Sequence, residues 1–164
     1  MSTKGIILSV LGVLLIMAIK TLYTAPKKAA NYLTLFRGSE RLYMLPENLL
    51  VRLAQQESYF DPLATNPSGA QGMMQIIPRF HPGVDPFKPE EAVPYAAKFL
   101  AAQYDRFGSW RAALAAYNWG PGNLQKALRQ ANGNLEAVLN IATGTAPKET
   151  RQYVKGITDD VSVV

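Results

Sequence analysis

From Pro46 onward, apolar residues recur at helical spacing, in stretches that proline and glycine cut short. A chain punctuated in this way has to bury several short amphipathic helices against one another. Pro46 suits a first helical turn, and Leu49, Leu50, Leu53, Ala54 and Glu57 then fall on one face. Asp61-Pro62 ends that helix. Residues 62–72 are rich in turn formers and read as a loop. Residues 73–77 form a short apolar run closed by Pro78, compatible with a strand or a helical turn. Residues 78–93, with Pro78, Pro82, Pro86 and Pro89, read as loop and short turn. Helices are predicted over 94–107, with Gly108 as the stop, and over 110–118, with Ser109 as the cap. Further helices are predicted over 123–131, 135–142 and 148–161. The predicted class is mainly α, with little β.

Composition supports one folded body. Apolar residues make up 48% of the chain and charged residues 18%, as in globular proteins. A domain of this size buries a core without staples, and the chain has no cysteine to form any. The body is assigned to residues 46–164, with 26–45 as a linker and lead-in and 1–25 as a separate membrane-directed segment.

The net charge of +5 is unevenly placed. Residues 1–28 hold Lys4, Lys20, Lys27 and Lys28 and no acid, and the remaining 136 residues carry 13 basic and 12 acidic groups. A nucleic-acid binder concentrates its basic residues in the folded body, so nucleic acid is excluded as a partner. A basic segment beside an apolar run suits a membrane surface. That run is residues 5–19, uncharged and flanked by Lys4 and Lys20. As a helix it spans about 22 Å, short of a hydrocarbon core of about 30 Å. Snorkelling by Lys20 and the residues just beyond it extend the reach. A cleaved export signal fits the length but lacks a convincing cleavage site. A buried core helix conflicts with apolarity on every side. An uncleaved N-terminal hydrophobic helix acting as anchor is the preferred reading.

Glu57 stands out among the carboxylates. Leu53 and Leu50 lie four and seven residues before it, so it sits on the buried stripe of its own helix, near the C-terminal end. Burial and the negative end of the helix dipole both raise a carboxyl pKa. A carboxyl protonated near neutral pH is what a glycosidase general acid requires. Periodicity alone leaves the alternative open, a Glu whose head reaches solvent or pairs with an arginine.

Four short segments bear on that choice. They are Glu57-Ser58; residues 68–76, SGAQGMMQI; residues 116–122, AYNWGPG; and residues 149–154, ETRQYV. In this order and spacing they resemble the catalytic domain of lytic transglycosylases of the soluble (Slt) and goose-type lysozyme group, over roughly residues 46–155. The resemblance implies a lysozyme-like fold of the α+β lysozyme superfamily. It implies Glu57 as the catalytic residue, with Met74, Gln75, Tyr117 and Glu149 along the substrate groove.

The residue types have their own logic. Gly69 and Gly72 permit positive φ and close backbone approach. Gln75 either bonds an N-acetyl group or a backbone group. Tyr117 offers a ring to a sugar and a hydroxyl at its edge, the alternative being a core tyrosine. Asn118 is assigned to the backbone at the helix end. Glu149 is a groove carboxylate by resemblance, or a helix-start acid after Pro147. Met73 is assigned to the core. Three positions depart from the family pattern, Met73 conservatively replacing a common leucine. Trp119 stands where a small residue is usual, and either stacks on a sugar or fills the core. Asn66 stands where some members carry serine, and is kept as a substrate-side candidate.

Ordinary glycosidases use two carboxylates. No convincing partner for Glu57 is present, since Asp61 sits beside a helix-ending proline and Asp85, Glu90 and Glu91 lie in a Pro-rich stretch. The resemblance implies a one-carboxylate route on peptidoglycan glycan strands, ending in a 1,6-anhydromuramyl product without metal or cofactor. A hydrolytic muramidase on the same fold is the nearest alternative. A non-catalytic glycan-binding component of an envelope or virion machine is the alternative from another class. His81, between Phe80 and Pro82, reads as a loop residue. The expected place is the bacterial envelope, anchored, with the domain on the cell-wall side. A phage or secretion machine is a compatible setting.

Overall fold

The computed structural model describes residues 26–159. A 3-10 turn over Lys27–Tyr32 runs directly into α1 (Leu33–Leu42). Then follow α2 (Leu49–Ser58), α3 (Pro89–Phe107), α4 (Trp110–Trp119), α5 (Pro121–Gln130), α6 (Leu135–Leu139) and α7 (Lys148–Thr158). Among the described residues, β structure is confined to two isolated antiparallel bridges, Thr65 with Gln71 and Gln71 with Ile76. The chain is therefore mainly helical, as its periodicity predicts. Among the described residues no helix is long and apolar enough to cross a membrane. The apolar run at 5–19, with its anchor reading, lies outside them.

The core is organised around α4, which packs on α3, α5 and α7. Ala112, Ala113, Leu114, Ala115 and Ala116 are all buried. Alanine adds only a Cβ, so neighbouring helices approach α4 closely. At its start Trp110 stacks on Tyr104 of α3, with ring centroids 4.3 Å apart. Gly108 separates the two helices at φ +69°, and its N–H closes α3 on the Tyr104 carbonyl at 2.7 Å. Ser109 occupies the N-cap position of α4, but its side chain makes no cap hydrogen bond.

Several boundaries differ from the sequence expectation: α5 starts at Pro121 rather than 123, and α6 stops at Leu139 rather than 142. α3 starts at Pro89 rather than Pro94, with Pro94 inside the helix. Pro89 in the first turn and the acids Glu90 and Glu91 beside it are favourable start signals. They outweigh the one hydrogen bond that Pro94 removes.

The larger difference is at residues 26–45. They are not a linker. They are built into the core through the buried Ala29 and Phe36. Phe36 meets Phe60 edge to face at 6.3 Å. Periodicity misses α1 because its buried face includes two polar residues, Ser39 and Glu40, beside Phe36.

Glu40 explains why that polar face is inside. The N-cap of α2, Asn48, is left-handed at φ +66° and its side chain caps nothing. The Glu40 carboxylate instead accepts the N–H of Asn48 at 3.1 Å and of Leu50 at 2.8 Å. These are among the N–H groups that a helix start leaves without partners. Burial nevertheless pushes the Glu40 carboxyl up to about 7, against the pull of those two bonds. Glu40→Ala is expected to lower unfolding free energy by about 2 kcal/mol, since it strands buried donors. Urea denaturation followed by circular dichroism checks this, and an unchanged midpoint would refute the capping role.

Candidate active site

Glu57 is the penultimate residue of α2, half-buried at the edge of the core. Beyond it the chain turns through two left-handed residues, Tyr59 at φ +54° and Phe60 at φ +64°. Their N–H groups return to the Gln55 and Ala54 carbonyls, at 3.1 and 3.3 Å. The turn drives Phe60 into the core against Phe36 and leaves Tyr59 exposed. Ser58 ties the same helix end to the following loop, its hydroxyl donating to the Met73 carbonyl at 2.8 Å.

Tyr153 reaches the carboxyl from α7, its hydroxyl donating to Glu57 Oε1. Burial pushes the Glu57 carboxyl from an ordinary 4.5 up to about 7, while the bond from Tyr153 favours the carboxylate and limits the rise. Burial and then the nearby Glu57 charge hold the Tyr153 and Tyr117 hydroxyls well above their ordinary value. Both phenols therefore stay protonated, as hydrogen-bond donors. The Tyr117 donor is used on the Met74 carbonyl at 2.7 Å.

The loop after α2 supplies its own scaffold. Gln71 and Ile76 exchange backbone hydrogen bonds at 2.9 and 3.0 Å. Asn66 Oδ1 accepts from the Ser68 N–H, the Ser68 hydroxyl and the Ala70 N–H, at 3.0, 2.6 and 3.1 Å. Asn66 Nδ2 donates to Gln75 Oε1 at 3.0 Å, and Gln75 Nε2 donates to the Gly72 carbonyl at 3.0 Å. Gly72 lies at φ +71°, and a Cβ there would fall 1.7 Å from the Pro86 carbonyl oxygen. Only glycine brings the two loops this close.

The candidates named from sequence divide accordingly. Tyr117 bonds the Met74 carbonyl, next to the Met73 carbonyl that Ser58 bonds, and the Glu57 charge adds to the burial that raises its pKa. Glu149 is exposed in the first turn of α7, one helical turn before Tyr153 and so on the same side. Trp119, the last residue of α4, is half-buried and packs on the core. Asn66 and Gln75 are committed to each other and to loop backbone. Met74 is corrected: expected as a groove wall, its side chain is fully buried beside that of Met73. The left-handed turns at Gly72 and Gln75 bracket both methionines and turn them inward. Met74 serves the site through its carbonyl. Asn118 has the structural role assigned to it, accepting from the Thr150 hydroxyl at 2.8 Å and so joining α4 to α7.

Two residues received no role from sequence, Ser58 and Tyr153. Both lie inside the segments already singled out. Tyr153 was legible in principle, because it lies one helical turn beyond Glu149 and so shares its helix face.

Residues 34–140 match the family model described as the transglycosylase SLT domain. The chain belongs to that family. The match begins inside α1, so the family unit includes residues first read as lead-in. The soluble lytic murein transglycosylase of Escherichia coli K12 is 32% identical over 127 residues, covering 69% of this chain and 20% of that protein. The transglycosylase of Enterobacteria phage PRD1 is 29% identical over 131 residues, covering 70% of this chain and 49% of that one. The crystal structure of the 70 kDa soluble lytic transglycosylase Slt70 from Escherichia coli superposes with a TM-score of 0.64 at 29% identity, covering 77% of this chain and 22% of that one. The chain thus spans between a fifth and a half of the length of these relatives.

Two outcomes are expected from this geometry. Tyr153→Phe removes the donor that favours the Glu57 carboxylate, so the Glu57 pKa should rise above about 7. NMR titration of the labelled carboxyl measures it, and an unchanged or lower value would contradict the assignment. Gly72→Ala forces both a positive φ and a clash with Pro86, and should cost more than about 2 kcal/mol of stability in thermal or urea unfolding.

Proposed function

We propose that the chain is a lytic transglycosylase of peptidoglycan, with Glu57 as its one catalytic acid and base. A single observation carries the reading: a carboxyl half-buried at a helix end, lifted to about 7 and held by a tyrosine from another helix. Such a group is protonated below neutrality, ready to donate, and ionises readily once it has done so. Family membership and relatives called soluble lytic murein transglycosylase support the substrate.

In the proposed reaction Glu57 donates its proton to the glycosidic oxygen between N-acetylmuramic acid and N-acetylglucosamine. The bond from that oxygen to C1 of the muramic sugar breaks, and the sugar's own acetamido group stabilises the cationic centre. The Glu57 carboxylate then takes the proton of the C6 hydroxyl as O6 bonds to C1. The product is a 1,6-anhydromuramyl end, no water is consumed, and Glu57 is protonated again. Tyr117 and Glu149 flank the sugar, with Trp119 at the groove's end. Met74, Gln75 and Asn66 shape the wall through the loop backbone.

The apolar run at 5–19 is proposed to tether the domain to a membrane, with the body on the cell-wall side. Relatives described as membrane-bound lytic murein transglycosylases support a membrane setting. The phage PRD1 relative supports a phage machine that opens the wall, with a secretion machine as the other candidate.

Glu57→Gln is expected to keep the fold and to lower release of soluble fragments from purified sacculi by at least about a thousandfold, the scale of losing an essential acid and base. Activity of the parent should fall as pH rises through about 7, where the acid loses its proton. Mass spectrometry of the fragments decides the chemistry. Anhydro ends agree with the proposal, whereas reducing ends, or a folded and fully active Glu57→Gln protein, overturn it.

A further inference from the structure

His81 is the one histidine in the chain, and it does not hang in solvent with its loop. Its Nδ1 is hydrogen-bonded to the Tyr95 hydroxyl at 2.8 Å. Its ring meets those of two α3 residues, Tyr95 at 5.5 Å and 71° and Phe99 at 5.6 Å and 90°. Phe99 in turn meets Tyr117 of α4 edge to face, at 5.6 Å and 83°. Tyr117 donates to the Met74 carbonyl, and the adjacent Met73 carbonyl accepts from Ser58, the residue after Glu57. His81 thus begins a continuous chain of ring contacts running from the Pro-rich loop through α3 to Tyr117. The same four aromatic residues, with Gln75, Ile76 and Ile77, wall a cavity of about 70 Å3.

Edge-to-face contacts constrain direction as well as distance, because the positive edge of one ring seeks the negative face of the next. Phe99 meets both Tyr117 and His81 at 5.6 Å. Remove the His81 ring and Phe99 is free to turn into the space left, which loosens the packing that orients Tyr117. The hydrogen bond to Tyr95 fixes the imidazole, and with it the loop, against α3.

We infer that His81 is a positioning residue for glycan binding: it clamps the 78–88 loop to α3 and, through Phe99, holds Tyr117 in place as a wall of the groove beside Glu57. His81 touches neither Glu57 nor any bond that breaks. Its effect falls on how well the glycan is held and leaves the proton transfer alone. The inference rests on the proposed transglycosylase activity.

The test is steady-state kinetics on soluble peptidoglycan strands, run on the full chain after the parent has been found to release product. His81→Ala is expected to raise KM about tenfold while kcat stays within about threefold, the pattern of lost binding. His81→Phe keeps a ring against Phe99 without the Nδ1 bond and should recover KM to within about threefold of the parent. Unfolding measured alongside identifies a fold defect, which would lower the active fraction and hence kcat. A KM for His81→Ala within twofold of the parent overturns the inference, as does a fall in kcat with KM unchanged, or a phenylalanine variant no better than alanine. A parent that yields no product refutes the proposed function instead, and the two failures are therefore distinct.

Discussion

A carboxyl at the end of a helix whose first six residues are buried is itself partly desolvated, and the rest of the site follows from that. Water would ordinarily keep the Glu57 carboxylate charged, but burial raises it to about 7. Left alone, such a group is both costly and badly oriented. Tyr153 answers both needs with one hydrogen bond from a helix almost a hundred residues further on in the sequence. α2 and α7 must therefore pack together before the acid has its working environment. The Thr150 to Asn118 bond fixes the start of α7 against the end of α4. The acid is thus a product of tertiary structure, although its helix is local.

Much of the fold was legible where sequence signals and packing agree. Gly108 ends α3 because its left-handed conformation suits glycine, as its place after the predicted helix suggests, and α4 forms where the 110–118 pattern predicts a helix. α1 was illegible because its inward face carries Ser39 and Glu40, whose burial makes sense only when the N–H groups at the start of α2 are seen beside them. Glu57 was legible as a buried carboxyl from periodicity, and its proposed role as catalyst came only by resemblance. Tyr153 was missed because a tyrosine at helical spacing reads as core, and nothing local says that its hydroxyl meets a carboxyl.

The loop after α2 explains the mixed fate of the other candidates. Polar residues near a groove are easily taken for substrate ligands. Here Asn66 accepts three hydrogen bonds and donates a fourth, to Gln75. Gln75 is left-handed, and its amide closes on the carbonyl of Gly72. Their side chains stand in for the backbone ladder that a longer strand pair would supply. That is why a mainly helical chain needs only two isolated bridges here. Rigidity comes from amides that face each other.

The alanines of α4 carry one more consequence. The helix lies between α3, which holds Phe99, and α7, which holds Tyr153, and Tyr117 leaves its last turn. The methyl groups of Ala112, Ala113, Ala115 and Ala116 therefore act as spacers of fixed thickness between the helices packed on α4. Substituting valine or leucine there would wedge those helices apart while altering neither Glu57 nor Tyr153. The separation of α3 from α7 is thus gauged by four of the smallest side chains in the protein, all of them hidden from solvent.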